Sequence, residues 1–304
     1  MCKKDKLKIF ITGASGMLGT TLYDVFTSVG YDIISTDLSP LDPWSLQLDI
    51  RNKKAIEIMI KDTKPDFVFN LAALTDVEYC EKHPQESYDT NARGAINVAE
   101  VCRDFETPLV HISTVGVFDG TKGEPYTEYD DPNPVNSYGK AKYEAEKAIP
   151  QILDNHFIFR AGWMMGGKDR DKKFVSKICN QIKNGATTLY ALDDMFGCPT
   201  YTRDFSEGIF RMLDTKDYGL YNMGNEGYCS RYGVAKRIVD ILGFNHIKVE
   251  PVKKGFFAKD YFATRPAFEV LENKKLHDKG YFIMRNWEEA LVEYLTYYEK
   301  HRNI

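Results

Sequence analysis

A tyrosine and a lysine four residues apart, Tyr138 and Lys142 in the run Ser137-Tyr138-Gly139-Lys140-Ala141-Lys142, have the types and spacing most suited to chemistry. On a helix they would be neighbours on one face. A free phenol titrates at roughly 10, too high to act near neutral pH. An ammonium beside it stabilises the phenolate, lowers that value and suits Tyr138 to proton transfer. Such pairs also occur on helix surfaces, so position decides. This one follows Ser113-Thr114 at the end of an apolar run, Leu109–Ser113 (LVHIS), and a long Gly/Pro/Asp-rich loop. Thr114 would give a second hydrogen bond to an oxygen that Tyr138 protonates. Ser113 offers the same hydroxyl chemistry.

A second group lies near the N-terminus. Gly13-Ala14-Ser15-Gly16-Met17-Leu18-Gly19 sits between a β-branched run (Leu7–Thr12) and a helical pattern from Met17 to Val29. A pyrophosphate needs close backbone approach, which residues without Cβ allow, and a helix start supplies free N–H groups. The spacing is G-x-x-G-x-x-G rather than G-x-G-x-x-G, so the strand–turn–helix context carries the reading. Asp37, eighteen residues past Gly19, can accept hydrogen bonds from an adenosine ribose and would repel a 2′-phosphate. The turn therefore predicts NAD or NADP, with NADH slightly favoured. Lys142 could then hold the nicotinamide ribose, and Tyr138 would protonate a ketone oxygen as hydride arrives. Asp49-Ile50 ends the next short strand, where an adenine edge could be held. Asp49 as a helix N-cap is an equal alternative.

These residues need a scaffold, and the first 160 residues supply one. Strands Asp32–Thr36, Asp66–Leu71, Leu109–Ser113 and His156–Arg160 alternate with helices Arg51–Asp62, about Ser87–Phe105 and Ser137–Leu153. This is the pattern of a doubly wound parallel α/β sheet, the Rossmann arrangement. Residues 1–160 read as a dinucleotide-binding domain and 161–304 mainly as a smaller mixed α/β substrate-binding lobe. A segment at about 190–225 returns to the sheet. In the lobe, helices are expected near Lys172–Asn184, Thr202–Met212, Arg231–Leu242 and Trp287–Lys300, with strands near Thr188–Ala191 and Gly219–Met223.

Composition excludes several classes. The formal charge is −4 over 304 residues, with no basic face for nucleic acid and no polybasic membrane patch. Lys3, Lys4 and Lys6, broken by Asp5, read as a solvated tail. Six scattered cysteines, without C-x-x-C or zinc-spaced histidines, predict neither a disulfide framework nor a metal site. No signal core or 18-residue apolar run is present, which predicts a cytoplasmic protein. A homodimer is compatible with all of this.

Taken together, Gly13–Gly19, Asn70-Leu71-Ala72-Ala73, Asn91, Ser113-Thr114 with Val117-Phe118, and Tyr138–Lys142 resemble the extended short-chain dehydrogenase/reductases. Within that group the chain is most similar to the dTDP-4-dehydrorhamnose reductases. Phe118-Asp119-Gly120, Gly197-Cys198-Pro199-Thr200-Tyr201-Thr202-Arg203-Asp204 and Thr264-Arg265-Pro266 carry the narrower likeness. The resemblance implies NAD(P)H-dependent reduction of the 4-keto group of a nucleotide-linked 6-deoxysugar. It implies cofactor contacts at Leu71, Ala72 and Ala73, Asn91 beneath the active site, Thr75 lining the nicotinamide and sugar site, Trp163 packed on the sugar, and Arg265 near the substrate. Val115-Gly116 stands where the family has Asp-Tyr, and Ala267-Phe268-Glu269 follows Arg-Pro where the family has Asn-Ser. Both departures fall on the substrate side. Two other readings fit the scaffold, an epimerase using the same bound NAD and a non-catalytic NAD(P)-binding regulatory subunit. The intact Thr114, Tyr138 and Lys142 set weighs against the second.

Overall fold

Strands β1 (Lys8–Thr12), β2 (Asp32–Asp37), β3 (Leu46–Gln47), β4 (Phe67–Asn70), β5 (Leu109–Thr114) and β6 (His156–Ala161) form a parallel sheet. The strand order is β11-β6-β5-β4-β1-β2-β3, with β11 (Gly219–Asn222) joining beside β6. The order reverses between β1 and β4, so both strands end at one crevice, where open α/β sheets bind ligands. The computed structural model describes residues 6–282 and 284–302; Cys2 and the Lys3-Lys4-Asp5 stretch lie outside them.

Alternation along β1 sets the two layers. Ile9 and Ile11 face one side, Phe10 the other, and all three are wholly buried. On the first side, Leu18, Leu22 and Phe26 of α1 (Met17–Ser28) pack with Phe205 and Ile209 of α8 (Thr202–Leu213). On the second, Ile56 and Ile60 of α2 (Lys53–Thr63) join Val98 and Ala99 of α5 (Ala95–Asp104) and Ala145 and Ile149 of α6 (Ser137–Ile152). β4 reads FVFN and is buried throughout, as expected for a strand covered on both faces.

The run expected as one helix from Ser87 to Phe105 begins earlier and is not uniform. A short helix, α3 (Val77–Lys82), precedes it, and α4 (Pro84–Tyr88) leads into a π-helical turn, Asp89–Gly94, before α5. The turn brings Asn91, 1% exposed, against the loop after β4. Asn91 Oδ1 accepts from Leu74 N at 2.8 Å and its Nδ2 donates to Leu74 O at 2.9 Å.

A second core gathers around α7 (Phe174–Lys183), α9 (Arg231–Ile241) and α11 (Trp287–Arg302), with Ile178, Ile182, Val234, Ile238, Leu291 and Leu295 inside it. Beside it lie β8 (Thr188–Leu192) paired with β13 (Lys248–Val252), and β7 (Met164–Met165) paired with β10 (Thr200–Tyr201). A third small sheet joins β12 (Cys229–Ser230), β9 (Phe196–Gly197) and β14 (Phe268–Glu269). These short strands carry too few residues to show a period in sequence. The segment from Gly197 to Asp204 acts as a joint. Asp204 takes a bidentate ion pair from Arg285, both contacts 2.8 Å, and Thr202 Oγ1 bonds Thr21 of α1 at 2.9 Å. Among the described residues no helix is long and apolar enough to cross a membrane.

Candidate active site

The glycine turn is built for close approach. Gly13 has φ +70°, and a Cβ there would stand 2.6 Å from Ala72 N; one on Gly19 would meet the Ala14 backbone at 2.5 Å. Only residues without side chains fit those two places. Gly16 caps α1 without a side-chain acceptor, so the first-turn N–H groups at Met17 and Leu18 face outward for an anion. The Leu18 side chain is in the core, so only its backbone is available. Asp37 closes the turn from β2. Its Oδ2 accepts from Ser15 N at 3.0 Å and its Oδ1 from Ser39 N at 2.9 Å. Ser15 Oγ in turn accepts from Leu41 N at 3.1 Å. Leu71, Ala72 and Ala73 follow β4 half-buried, along the same crevice.

The N-cap alternative for Asp49 is corrected. Asp49 is not the N-cap of α2; Asn52 is, accepting from Ala55 N at 3.1 Å. Asp49 is held by Arg51 through its carboxylate, and the Arg51 hydrogen bonds keep its pKa below the ordinary carboxylate range. Ile50 is 3% exposed and packs where a Cβ on Gly94 would otherwise sit.

Tyr138 opens α6, which Asn136 caps by accepting from Gly139 N at 2.8 Å. Asn136 Nδ2 also donates to Thr264 O at 2.8 Å, and Ser137 N donates to Glu81 Oε2 at 2.8 Å. The catalytic helix is thus pinned at its start from two sides. Thr114 caps the short turn Val115–Val117, its Oγ1 accepting from Gly116 N at 3.0 Å, and its hydroxyl is the side-chain group that favours the ionised form of the Tyr138 phenol. A Cβ on Gly139 would meet Gly116 O at 2.2 Å, which explains why the Thr114 turn and Tyr138 lie so close. Ser113, 5% exposed, points to the other face of β5, so Thr114 is the hydroxyl beside the phenol.

The expected electrostatics of the pair are corrected too. Burial pushes the Tyr138 phenol up to about 12, and only the neighbouring Thr114 hydroxyl opposes this, with Cys80 and Glu269 adding to the rise. Lys142 does not lower it, because its Nζ is turned to His111 Nε2 at 3.2 Å. Burial brings Lys142 itself down to about 8, against the pull of Glu146. Tyr138, Lys142 and Glu146 form one stripe down α6. At its end, Glu146 pairs with buried Arg160 of β6 through contacts of 2.9 and 2.6 Å.

On the substrate side three expectations change. Val115 is 3% exposed and packs with Val117, Phe118, Tyr126 and Leu271, so it offers the cleft no surface. The room left by the departure is at Gly116, where a Cβ would have Tyr138 Cε1 3.8 Å away. Trp163, at φ +41°, offers no bare indole face for a sugar. Its ring stacks under Arg231, 3.4 Å from guanidinium carbon to centroid, lies against Gly197, and donates from Nε1 to Glu269 at 2.8 Å. Arg265 stands at the cleft mouth with its guanidinium clasped by Glu78 and packed over Tyr261, so its charge is compensated. Thr75 is exposed and accepts from Lys173 Nζ at 3.2 Å. Gly120, at φ +75°, lets the Phe118-Asp119-Gly120 turn lie on Pro266, which joins two of the family-like stretches.

The sequence reading missed Arg231, Lys173 and His111, and noted Glu269 only as a departure. Burial lowers Arg231 to about 10 and Lys173 in the same direction, while it raises Glu269 against the Trp163 N–H and Arg231. No local pattern marks these residues, because their partners lie dozens of positions away.

The family model described as "RmlD substrate binding domain" matches residues 7–300. The spore coat polysaccharide biosynthesis protein SpsK of Bacillus subtilis is 30% identical over 288 residues, covering 95% of this chain and 96% of its own. The dTDP-4-dehydrorhamnose reductase of Aggregatibacter actinomycetemcomitans is 30% identical over 302 residues, 96% of this chain and 99% of its own. The solved dTDP-4-dehydrorhamnose reductase of Clostridium acetobutylicum superposes with a TM-score of 0.89 at 34% identity, covering 96% of this chain and 100% of its own. That of Bacillus anthracis, in complex with NADP, gives 0.86 at 30%, covering 96% and 99%. A UDP-glucose 4-epimerase of Thermus thermophilus, in complex with NAD, shares the fold with a TM-score of 0.81 at 20% identity.

Proposed function

The chain belongs to the RmlD substrate-binding-domain family, and from that premise we propose that it reduces the 4-keto group of a nucleotide-linked 6-deoxysugar with NADH or NADPH. The observation that carries the reading is that Thr114 and Tyr138 come together around Gly116, with Lys142 buried one turn below on α6. The full-length likeness to reductases that act on dTDP-4-keto sugars supports it.

The glycine turn fits a dinucleotide-binding turn, since Gly13 and Gly19 let it pack directly on the Ala72 and Ala14 backbones and bring the start of α1 to the ends of β1 and β4. Ser15, Gly16 and the N–H groups at Met17 and Leu18 would hold the pyrophosphate, Asp37 the adenosine ribose, and Leu71–Ala73 would line the nicotinamide end. The bound reduced nicotinamide supplies hydride to the carbonyl carbon. As negative charge develops on the carbonyl oxygen, Tyr138 gives it the phenolic proton and the Thr114 hydroxyl gives a hydrogen bond. A phenol raised to about 12 keeps its proton until an alkoxide is there to take it. The Lys142 ammonium then stands one helical turn from the new phenolate. Asp37 favours NADH, because a 2′-phosphate would meet its carboxylate. On the sugar side Arg231, Lys173 and Glu269 supply charge and hydrogen bonds where Trp163 does not present its face.

The test is oxidation of NADH or NADPH by the purified protein with a dTDP-4-keto-6-deoxysugar. Tyr138→Phe is expected to retain cofactor affinity and lose roughly 10²–10⁴-fold in turnover. No oxidation with any nucleotide-linked 4-keto sugar, or a fully active Phe variant, would overturn the reading.

A further inference from the structure

Lys142 has a neighbour that the reaction above does not use. The His111 imidazole, on β5 and wholly buried, places Nε2 3.2 Å from Lys142 Nζ. Its Nδ1 lies 3.2 Å from Asn70 Nδ2. Asn70 Oδ1 accepts from Thr12 Oγ1 at 2.8 Å, and Thr12 Oγ1 accepts from Ala72 N at 3.4 Å. Four side chains, none more than 2% exposed, therefore connect the backbone beside the glycine turn to Lys142 across β1, β4, β5 and α6.

The chain has a direction. A backbone N–H only donates, and a neutral imidazole has one donor and one acceptor. From Ala72, the Thr12 hydroxyl accepts and passes its own proton to Asn70 Oδ1. The Asn70 amide nitrogen then faces His111 Nδ1, which must accept. The ring's one proton is left on Nε2, aimed at Lys142. An ammonium has only donors and cannot receive that N–H, whereas a neutral amine can. His111 does not escape by ionising. Burial, with Lys142 and His156 adding to it, holds it well below the ordinary histidine range. On the other side of the lysine, Glu146 of α6 is the carboxylate that favours its charge. Turning the Nε2 lone pair toward a charged Lys142 would require the ring proton to move to Nδ1 and the Asn70 amide to flip, with Thr12 Oγ1 then accepting from both Ala72 N and Asn70 Nδ2.

We propose that His111 is a positioning residue for Lys142: the chain from Ala72 pins the ring proton on Nε2, aims it at the amine, and weakens the lysine's hold on its proton. Only the kinetic consequence rests on the reading of Lys142 as partner of Tyr138. The charge of Lys142 is thereby coupled to the orientation of Asn70, the residue just before the cofactor-lining Leu71–Ala73.

The tautomer can be read without substrate. In ¹⁵N-resolved spectra of the full-length, cofactor-free protein at pH 9, the His111 ring, identified by its loss in His111→Gln, is expected to be protonated on Nε2 alone. Protonation on Nδ1, or on both nitrogens, overturns the proposal whether or not the protein is a reductase. Asn70→Asp supplies the second arm. A carboxylate only accepts, so it must take the proton from Nδ1 and turn the Nε2 lone pair toward Lys142. The tautomer should switch, and the alkaline limb of kcat for carbonyl reduction should rise by about one pH unit, a tenfold gain in rate above the limb. An added charge alone would move the limb and leave the tautomer as it was, and that result also overturns the proposal. If the Asp variant does not fold, the wild-type spectrum decides.

Discussion

Replacing Lys142 by methionine should make the cofactor-free protein more stable while removing its activity. Lys142 is 2% exposed, and burial lowers its pKa from an ordinary 10.5 to about 8. At 1.36 kcal/mol per pH unit, holding that ammonium inside at pH 7 costs about 3 kcal/mol. Methionine fills a similar volume without charge. It leaves the buried His111 ring without its Lys142 partner, which costs about 1–3 kcal/mol, so the net gain at pH 7 is about 0–2 kcal/mol. With an unfolding entropy of about 2.1 cal/mol/K per residue, a chain of 304 residues should show a Tm higher by up to roughly 3 °C. The sign with pH is fixed. A lysine whose pKa falls on folding carries its full penalty below about 8, and the penalty fades as pH rises toward 10.5. The Met variant should therefore lead at pH 7 and lose that lead by about pH 10, a swing of roughly 5 °C in the Tm difference. Thermal unfolding of both proteins across this range is the assay. A variant less stable than wild type at pH 7 by more than about 1 kcal/mol, or a Tm difference flat with pH, would refute the account of Lys142 as a destabilising buried charge. Reductase activity should fall at the same time, the cost of a functional charge held in an apolar setting.

Three further outcomes are expected. Asp37→Ser should improve NADPH use relative to NADH by roughly tenfold, about 1.4 kcal/mol, and titration of both cofactors against both proteins reads it; an unchanged ratio would place the 2′-position away from residue 37. Glu146→Ala leaves the Arg160 guanidinium buried without its carboxylate and should cost about 3–5 kcal/mol, seen as a lower midpoint in denaturant. Val115→Asp puts a carboxylate among Val117, Phe118, Tyr126 and Leu271 and should cost roughly 3 kcal/mol or more; a variant as stable as wild type would mean the side chain reaches the cleft after all.

The parts of the molecule legible in sequence are those set by neighbours in the chain. The turn from Gly13 to Gly19, Asp37 at the end of the next strand, and Thr114 at the end of β5 all follow from strand ends and helix starts a few residues long. The doubly wound parallel sheet follows from the same alternation. The features that were not legible depend on contacts between distant segments. The indole of Trp163 looks free until Arg231, at the head of α9, is laid on it. Val115 reads as a cleft residue until the turn it sits in is seen to roll it inward. The Tyr138–Lys142 spacing gives the shared face correctly, but not that an imidazole on β5 would claim the ammonium.

The π-helical turn at Asp89–Gly94 also bears on how this chain can change over time. Such a turn holds one more residue than an α-helical turn of the same span. Deleting a single residue within Asp89–Gly94 would let the helix relax to regular geometry, with α4 and α5 keeping nearly their present relation and the side chains of the turn itself re-aimed. Asn91 would swing away from both backbone groups of Leu74, and the loop that continues β4 past Ala73 would lose its only side-chain mimic of a paired strand among the described residues. Point substitutions on the exposed face of this helix are tolerable one at a time, but its length is not adjustable by one. Related chains should therefore differ in this stretch by replacement, while insertions and deletions accumulate elsewhere, in loops such as the one between β2 and β3.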